Sequence, residues 1–212
     1  MARPVQFTYP ASDTDSICME QTSNGAPLVI DGPLALPIQM WQGSAVAMMP
    51  GIQRVVTITC SDDISSINFT IEGYDLRGNA VSETLAGPDT TPTTVSTTAQ
   101  YHVVTSITPS AAVASFVLIG TGDAGQTNWY VTNYFASLFN VGYSLTHVGT
   151  IDVDLNYTMD NVQNTETPTA SVIDDNITTD VAGVFTTPCQ AIQADVQAGS
   201  TGSFVLTLIQ TG

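Results

Sequence analysis

One stretch that occurs twice constrains this chain more than any other feature. Residues 67–71 read Ile-Asn-Phe-Thr-Ile and residues 155–159 read Leu-Asn-Tyr-Thr-Met, while residues 115–118 and 203–206 both read Ser-Phe-Val-Leu. Both matches lie 88 positions apart, Asn68 to Asn156 and Ser115 to Ser203, with no gap between them. Two matches at one spacing predict a duplicated unit. Within each copy, aromatic and aliphatic residues alternate with Asn, Thr or Ser, the period of two expected of a strand with one buried and one wet face. A strand of this kind cannot bury its apolar side alone, so each copy needs a second layer. The expectation is an all-β chain of antiparallel β-sandwich modules in two related copies. An N-terminal arm with edge strands takes residues 1–43, the first module residues 44–123 and the second residues 124–212.

The polar surface supports strands rather than helices. Charged residues make up 10% of the 212, well below the usual quarter, and Thr, Ser, Asn and Gln replace them. Lysine is absent, and Arg3, Arg54 and Arg77 are the fixed positive charges against 19 acidic residues, giving a net charge of −16. Three arginines neutralise few phosphates, so binding to nucleic acid is disfavoured and none is expected, and anionic membranes are disfavoured on the same Coulomb grounds. No apolar run approaches the length of a membrane span. The start, Met-Ala-Arg-Pro, lacks the apolar core of a signal peptide. Cys18, Cys60 and Cys189 are too few and too scattered for a disulfide framework or a zinc site, and are expected as free thiols buried in strands. A reducing cytoplasm is the expected place of synthesis.

Along the chain, Val5 to Tyr9 alternates and Asp13 to Asp15 marks a turn; Ile17 to Gln21 and Leu28 to Ile30 read as short strands. Pro27, Pro33 and Pro37 confine this segment to an edge or an arm. Strands follow at Arg54 to Cys60, Ile67 to Tyr74, Ala80 to Leu85, Tyr101 to Ile107 and Ala114 to Ile119, with a surface loop from Gly87 to Thr94. Gly120 to Gly125 reads as a flexible joint. The second half has strands at Trp129 to Val131, Phe135 to Val141, Thr150 to Met159, Ala182 to Phe185, Cys189 to Val196 and Ser203 to Ile209. The polar connection from Asp160 to Asp180 is expected as an exposed loop.

Chemistry finds little purchase. His102 and His147 stand in strands with no acid at a characteristic spacing, and no nucleophile elbow or zincin motif occurs. Asp152 and Asp154 share one strand face, and Asp160, Asp174, Asp175 and Asp180 are oxygen ligands suited to calcium, but the EF-hand pattern is missing. Asn68, Asn156 and Asn176 open glycosylation sequons, two of them explained by strand alternation alone. Trp129, Tyr130, Tyr134, Phe135, Phe139 and Tyr143 form an aromatic cluster. Its rings are either the core between copies or, at Trp129, Tyr130 and Tyr134, a carbohydrate platform. No catalytic, cofactor-binding or metal-ligating residue is assigned, no cofactor is implied, and the chain is read as a non-enzyme.

The ordered runs Arg54-Val-Val-Thr-Ile-Thr, Ile67-Asn-Phe-Thr-Ile-Glu-Gly-Tyr-Asp, Gly78-Asn-Ala-Val-Ser-Glu-Thr, Gly87-Pro and Val103-Val-Thr-Ser-Ile-Thr-Pro-Ser resemble structural proteins of tailed bacteriophages. So do Gly25-Ala-Pro-Leu-Val-Ile-Asp-Gly, Ile119-Gly-Thr-Gly, Asn140-Val-Gly, Val153-Asp-Leu-Asn-Tyr-Thr-Met-Asp and the final Phe204 to Gly212. The resemblance departs from the family pattern near Asp160 to Asp180. It implies a virion component: a capsid decoration (cement) protein on the major capsid protein, or a tail or collar accessory or fibre anchor. By the same analogy a homotrimer made in the host bacterial cytoplasm is expected; the N-terminal arm is the expected capsid contact, by strand addition to an exposed edge.

Overall fold

The structure is a computed structural model that describes residues 4–36, 46–91, 93–136 and 139–211; Arg3 and Pro37 lie outside them. The described residues contain strands and no helix. In chain order the first ten strands are β1 (Val5–Tyr9), β2 (Asp13–Ser23), β3 (Ala35–Leu36), β4 (Val46–Met48), β5 (Ile52–Cys60), β6 (Asn68–Tyr74), β7 (Ala80–Ala86), β8 (Thr94–Tyr101), β9 (Val103–Pro109) and β10 (Val113–Thr127). The rest are β11 (Tyr130–Val131), β12 (Asn140–Val148), β13 (Val153–Thr158), β14 (Ser171–Ile177), β15 (Val181–Phe185), β16 (Ala191–Val196) and β17 (Ser203–Thr211). They fall into two compact units, Ser12–Gly122 and Met1–Ala11 with Asp123–Gly212.

Each unit is a two-sheet antiparallel sandwich. In Ser12–Gly122 one sheet runs β2-β10-β5-β8 and the other β3-β4-β9-β6-β7. In the other unit the sheets run β1-β17-β12-β15 and β14-β13-β16, with β11 and the end of β10 along the free side of β16. Apart from β3, which has no counterpart, the two plans correspond strand for strand. β5 and β12 begin and end 88 positions apart, at Ile52/Asn140 and Cys60/Val148, and β9 and β16 begin at Val103 and Ala191. In both units the chain changes sheet at nearly every connection, and the long hairpin (β6–β7, β13–β14) stays within one sheet. The duplication read from short matches is therefore a duplication of topology.

The period of two places the cores. In β6, Phe69 and Ile71 are fully buried between exposed or half-buried neighbours, and Val56, Ile58, Tyr101 and Ile107 of the same unit are fully buried too; Ile71 pairs with Ile107 and its carbonyl accepts the Tyr101 hydroxyl. In β17, Phe204, Leu206 and Leu208 point inward with Val141, Leu145, Val153 and Leu155. Tyr9 stacks on Phe204 at 5.2 Å and 7°, and Tyr157 meets Phe185 at 4.8 Å. Burying each such side chain stabilises the unit by about 1.5–3 kcal/mol.

Three segments differ from the sequence reading. Of the stretch 1–43, residues 4–36 are described, and they carry edge strands: β1 is paired with β17 along its length, from Val5↔Leu208 to Tyr9↔Phe204, and β2 pairs with β10. The Asp13 to Asp15 turn lies inside β2, and Leu28 to Ile30 forms no strand, though Leu28 donates its N–H to the Ile107 carbonyl. The Gly120 to Gly125 joint is strand. A Cβ on Gly120 would lie 1.9 Å from the Asp13 carbonyl oxygen, and one on Gly122 would lie 2.6 Å from Val55 Cγ2, so these glycines permit close approach. The 160–180 loop contains β14, an edge strand on β13; within it Asn176 takes φ 51°, a conformation Asn tolerates.

Candidate functional site

The sheet β1-β17-β12-β15 turns one side to the core and the other to solvent. Because strands are pleated, the outward residues are Gln6 and Thr8 of β1, Ser203, Val205, Thr207 and Ile209 of β17, Gly142, Ser144, Thr146 and Val148 of β12, and Ala182 and Val184 of β15. Register aligns them in rows: Val184–Gly142–Ile209, Ala182–Ser144–Thr207–Gln6, and Thr146–Val205–Thr8. None of the twelve is ionisable, on a chain of net charge −16. Val148 is 76% exposed, Val184 61% and Ile209 39%. Gly142 lies between the last two, and a Cβ there would meet nothing closer than the Ile209 carbonyl oxygen at 3.7 Å. The face is uncharged and half apolar, with room above Gly142.

An aromatic pair sits at one end of this sheet. Asn133 donates its N–H to Gln210 Oε1 and accepts from Gln210 Nε2, which pins residues 132–136 to the end of β17. Phe135 is 82% exposed and its ring lies 4.1 Å from that of Tyr134. Of the other clustered aromatics, Phe139 is buried, Trp129, Tyr130 and Tyr143 are half-buried, and Tyr130 meets Phe7 edge-on at 6.4 Å. The cluster therefore divides between core packing and two rings in solvent. Sequence reasoning named these aromatics but missed the sheet face, whose residues are individually ordinary.

The histidines each have a local partner. His102 Nδ1 lies 2.9 Å from the Ile52 carbonyl oxygen and donates to it. His147 Nδ1 lies 2.7 Å from Asp180 Oδ1, which also accepts the His147 N–H. These hydrogen bonds hold the exposed Asp180 carboxyl below its ordinary range. The aspartates weighed for calcium are dispersed on separate duties. Asp160 accepts the Thr169 N–H, Asp174 accepts the Tyr143 hydroxyl, and Asp154 holds Asn176 N–H and Gln197 Nε2. Among the described residues no three acids, histidines or cysteines converge as a metal site. Asp195, opposite Asp154 in the β13–β16 pair, is pushed upward by burial and then by the Asp154 charge, against the pull of a bond from Gln126.

Cys18, Cys60 and Cys189 are free and buried. Burial lifts Cys18 to about 12, with the Asp31 charge adding to it, and Cys189 to about 11, so neither thiol is a nucleophile at neutral pH. Of the sequon asparagines, Asn156 is buried in β13, while Asn68 and Asn176 are exposed.

No protein-family model matches the chain, and no curated protein matches it. A solved structure of a proposed secreted protein from Parabacteroides distasonis aligns with all of this chain and 90% of its own, at 8% identity and a TM-score of 0.24. Likeness at that level carries no argument about fold or function.

Proposed function

We propose that the chain is a non-enzymatic structural protein of a tailed-bacteriophage virion, a decoration (cement) protein that binds the assembled shell. The observation that carries this reading is the uncharged outer face of β1-β17-β12-β15 on a strongly acidic chain. A face of Val, Ile, Thr and Ser desolvates cheaply, because it strips water from no charge. The acidic remainder keeps unassembled copies soluble and apart. Four strands 4.8 Å apart and five to nine residues long present roughly 400–500 Å², below the roughly 800 Å² per partner of a stable pairwise complex. One such contact is weak; many copies on a symmetric shell, or a trimer binding through three such faces, multiply it. Contacts made to the major capsid protein only in the assembled shell then stabilise that shell by mass action. Three unbridged buried thiols support synthesis in a reducing bacterial cytoplasm before incorporation into the virion. With β1 already paired, docking belongs to the sheet face and not to strand addition by an arm.

The test is sedimentation of the purified chain with shells lacking it, beside Gly142→Glu and Val184→Glu. The Gly142 site has room for a side chain, so the fold survives while a charge enters the face. Saturable co-sedimentation, lost in both variants with their melting curves retained, supports the reading. Absence of binding, or binding unaffected by both charges, refutes it. A second reading, a carbohydrate-binding module on the virion surface, draws on the solvent-exposed Tyr134–Phe135 pair. Glycan-array binding abolished by Phe135→Ala would replace the first reading with the second.

A further inference from the structure

The repeated tetrapeptide takes opposite orientations in its two copies. In β17, Phe204 and Leu206 point inward and are 2% and 1% exposed. In β10, the strand that occupies the same place in the other unit, Val117 points inward and Phe116 is 60% exposed. β17 pairs with β1 in unbroken register, whereas β10 slips against β2 between Val113, Val117, Ile119 and Thr121. Through those slips β10 keeps its own alternation, with Val113, Val117 and Ile119 all buried, so it is the whole strand that faces the opposite way from β17. The unit thus leaves in water a ring that its twin places in the core, against the ordinary gain from burial.

Phe116 lines an open groove of about 540 Å³ in the Ser12–Gly122 unit. Leu118 and Ala114 continue its apolar side, and Glu20 and Asp62 stand on its rim. Both carboxylates are exposed, and neither has a hydrogen-bond or ionic partner among the described residues. No arginine lines the groove. We propose that this groove docks a protein segment presenting an arginine or lysine beside an apolar side chain. The cation lies over the face of the Phe116 ring, where the quadrupole attracts it, and reaches Glu20 and Asp62 with its N–H donors. The neighbouring apolar side chain covers Ala114 and Leu118. The net charge of −16 steers such a segment inward. This inference stands apart from shell docking by the other unit's sheet face, and either can fail alone.

The test uses the full chain, isotope-labelled, in an amide NMR titration with acetyl-Arg-Leu-Arg-amide as probe. The expected result is saturable shifts confined to amides around Glu20, Ser61, Asp62, Ser115 and Phe116, fading as salt is raised. Replacing both probe arginines with citrulline should weaken binding about tenfold or more. Phe116→Ala and the double change Glu20→Gln/Asp62→Asn should each do likewise, with the rest of the spectrum unmoved as proof of folding. Equal binding of the citrulline probe, shifts elsewhere, or no saturable shift would overturn the proposal. So would shifts at these amides caused by a neutral oligosaccharide and not by the arginine probe.

Discussion

Replacing each phenylalanine of the repeated tetrapeptide by alanine should give two very different costs. Phe204 is 2% exposed and stacks on Tyr9. Its truncation leaves a cavity between β1, β17 and the facing sheet, at about 3–5 kcal/mol. Within that figure the lost ring stacking contributes about 0.5–1.5 kcal/mol. Phe116, 60% exposed, has two-fifths of its surface buried. Against the roughly 1.5–3 kcal/mol of a fully buried ring, its removal costs about 1 kcal/mol or less. The difference, about 2–4 kcal/mol, is a factor of tens to hundreds in the folding equilibrium. Two units mean that one global midpoint is the wrong observable. Amide exchange should be followed in β12 and β17 for Phe204→Ala and in β5 and β10 for Phe116→Ala. Loss of protection should be large in the first pair and slight in the second. Comparable losses would refute the opposite facing of the two copies, and with it the claim that Phe116 is displayed for a partner.

Other consequences follow from single groups. Glu83 of β7 accepts the Thr98 N–H with both carboxylate oxygens at 3.0 Å and the Ala99 N–H at 2.7 Å, tying the edge of one sheet to the other. Glu83→Ala should destabilise that corner by about 1–3 kcal/mol and speed exchange at Thr98 and Ala99; unchanged exchange there would remove the tie from the account. Asp180 is depressed, so its contribution is present above the ordinary carboxylate pKa and is lost as pH falls through the lower folded value. His147→Ala keeps the backbone N–H that contributes most and removes the ring, so the Asp180 titration should rise only part of the way toward the ordinary range by NMR; a full return would show that the ring, and not the backbone N–H, sets it. Asp195 has the opposite sign: its raised folded pKa costs stability once it ionises, so Asp195→Asn should stabilise at neutral pH. That gain should vanish below the ordinary carboxylate range, and a gain constant with pH would contradict the burial cause. Deleting residues 1–9 removes β1 and uncovers Phe204, Leu206 and Leu208, so the Asp123–Gly212 segment should lose its cooperative transition. Calorimetry showing that transition intact would restore the free-arm picture.

Much of the fold was legible because alternation is a local signal. Val153 to Thr158 and Ser203 to Thr211 carry their faces in their own spelling, as does Asn68 to Tyr74. Where partners decide, the residues were silent. β14 contains Asp174-Asp175-Asn176, poor strand formers held by pairing with β13. β8 is rich in threonine, one of which folds back so that Thr97 Oγ1 accepts the Val56 N–H. β12 was largely missed because Gly142, Ser144 and Thr146 dilute its apolar face, and those residues build the candidate docking surface. Gly120 and Gly122 looked like a hinge because sequence records a missing Cβ, not the Asp13 and Val55 atoms that require its absence. The offset of 88 found both copies but could not reveal that the tetrapeptide turns over in one of them, since register belongs to a pair of strands.

The proposed virion role is tested most directly by cryo-electron microscopy of particles purified from cells carrying the genome that encodes this chain. The account predicts many copies spread across the whole shell, each with the uncharged β1-β17-β12-β15 face against the major capsid protein. A particle without the chain, a few copies at a single vertex, or that face turned to solvent would contradict it.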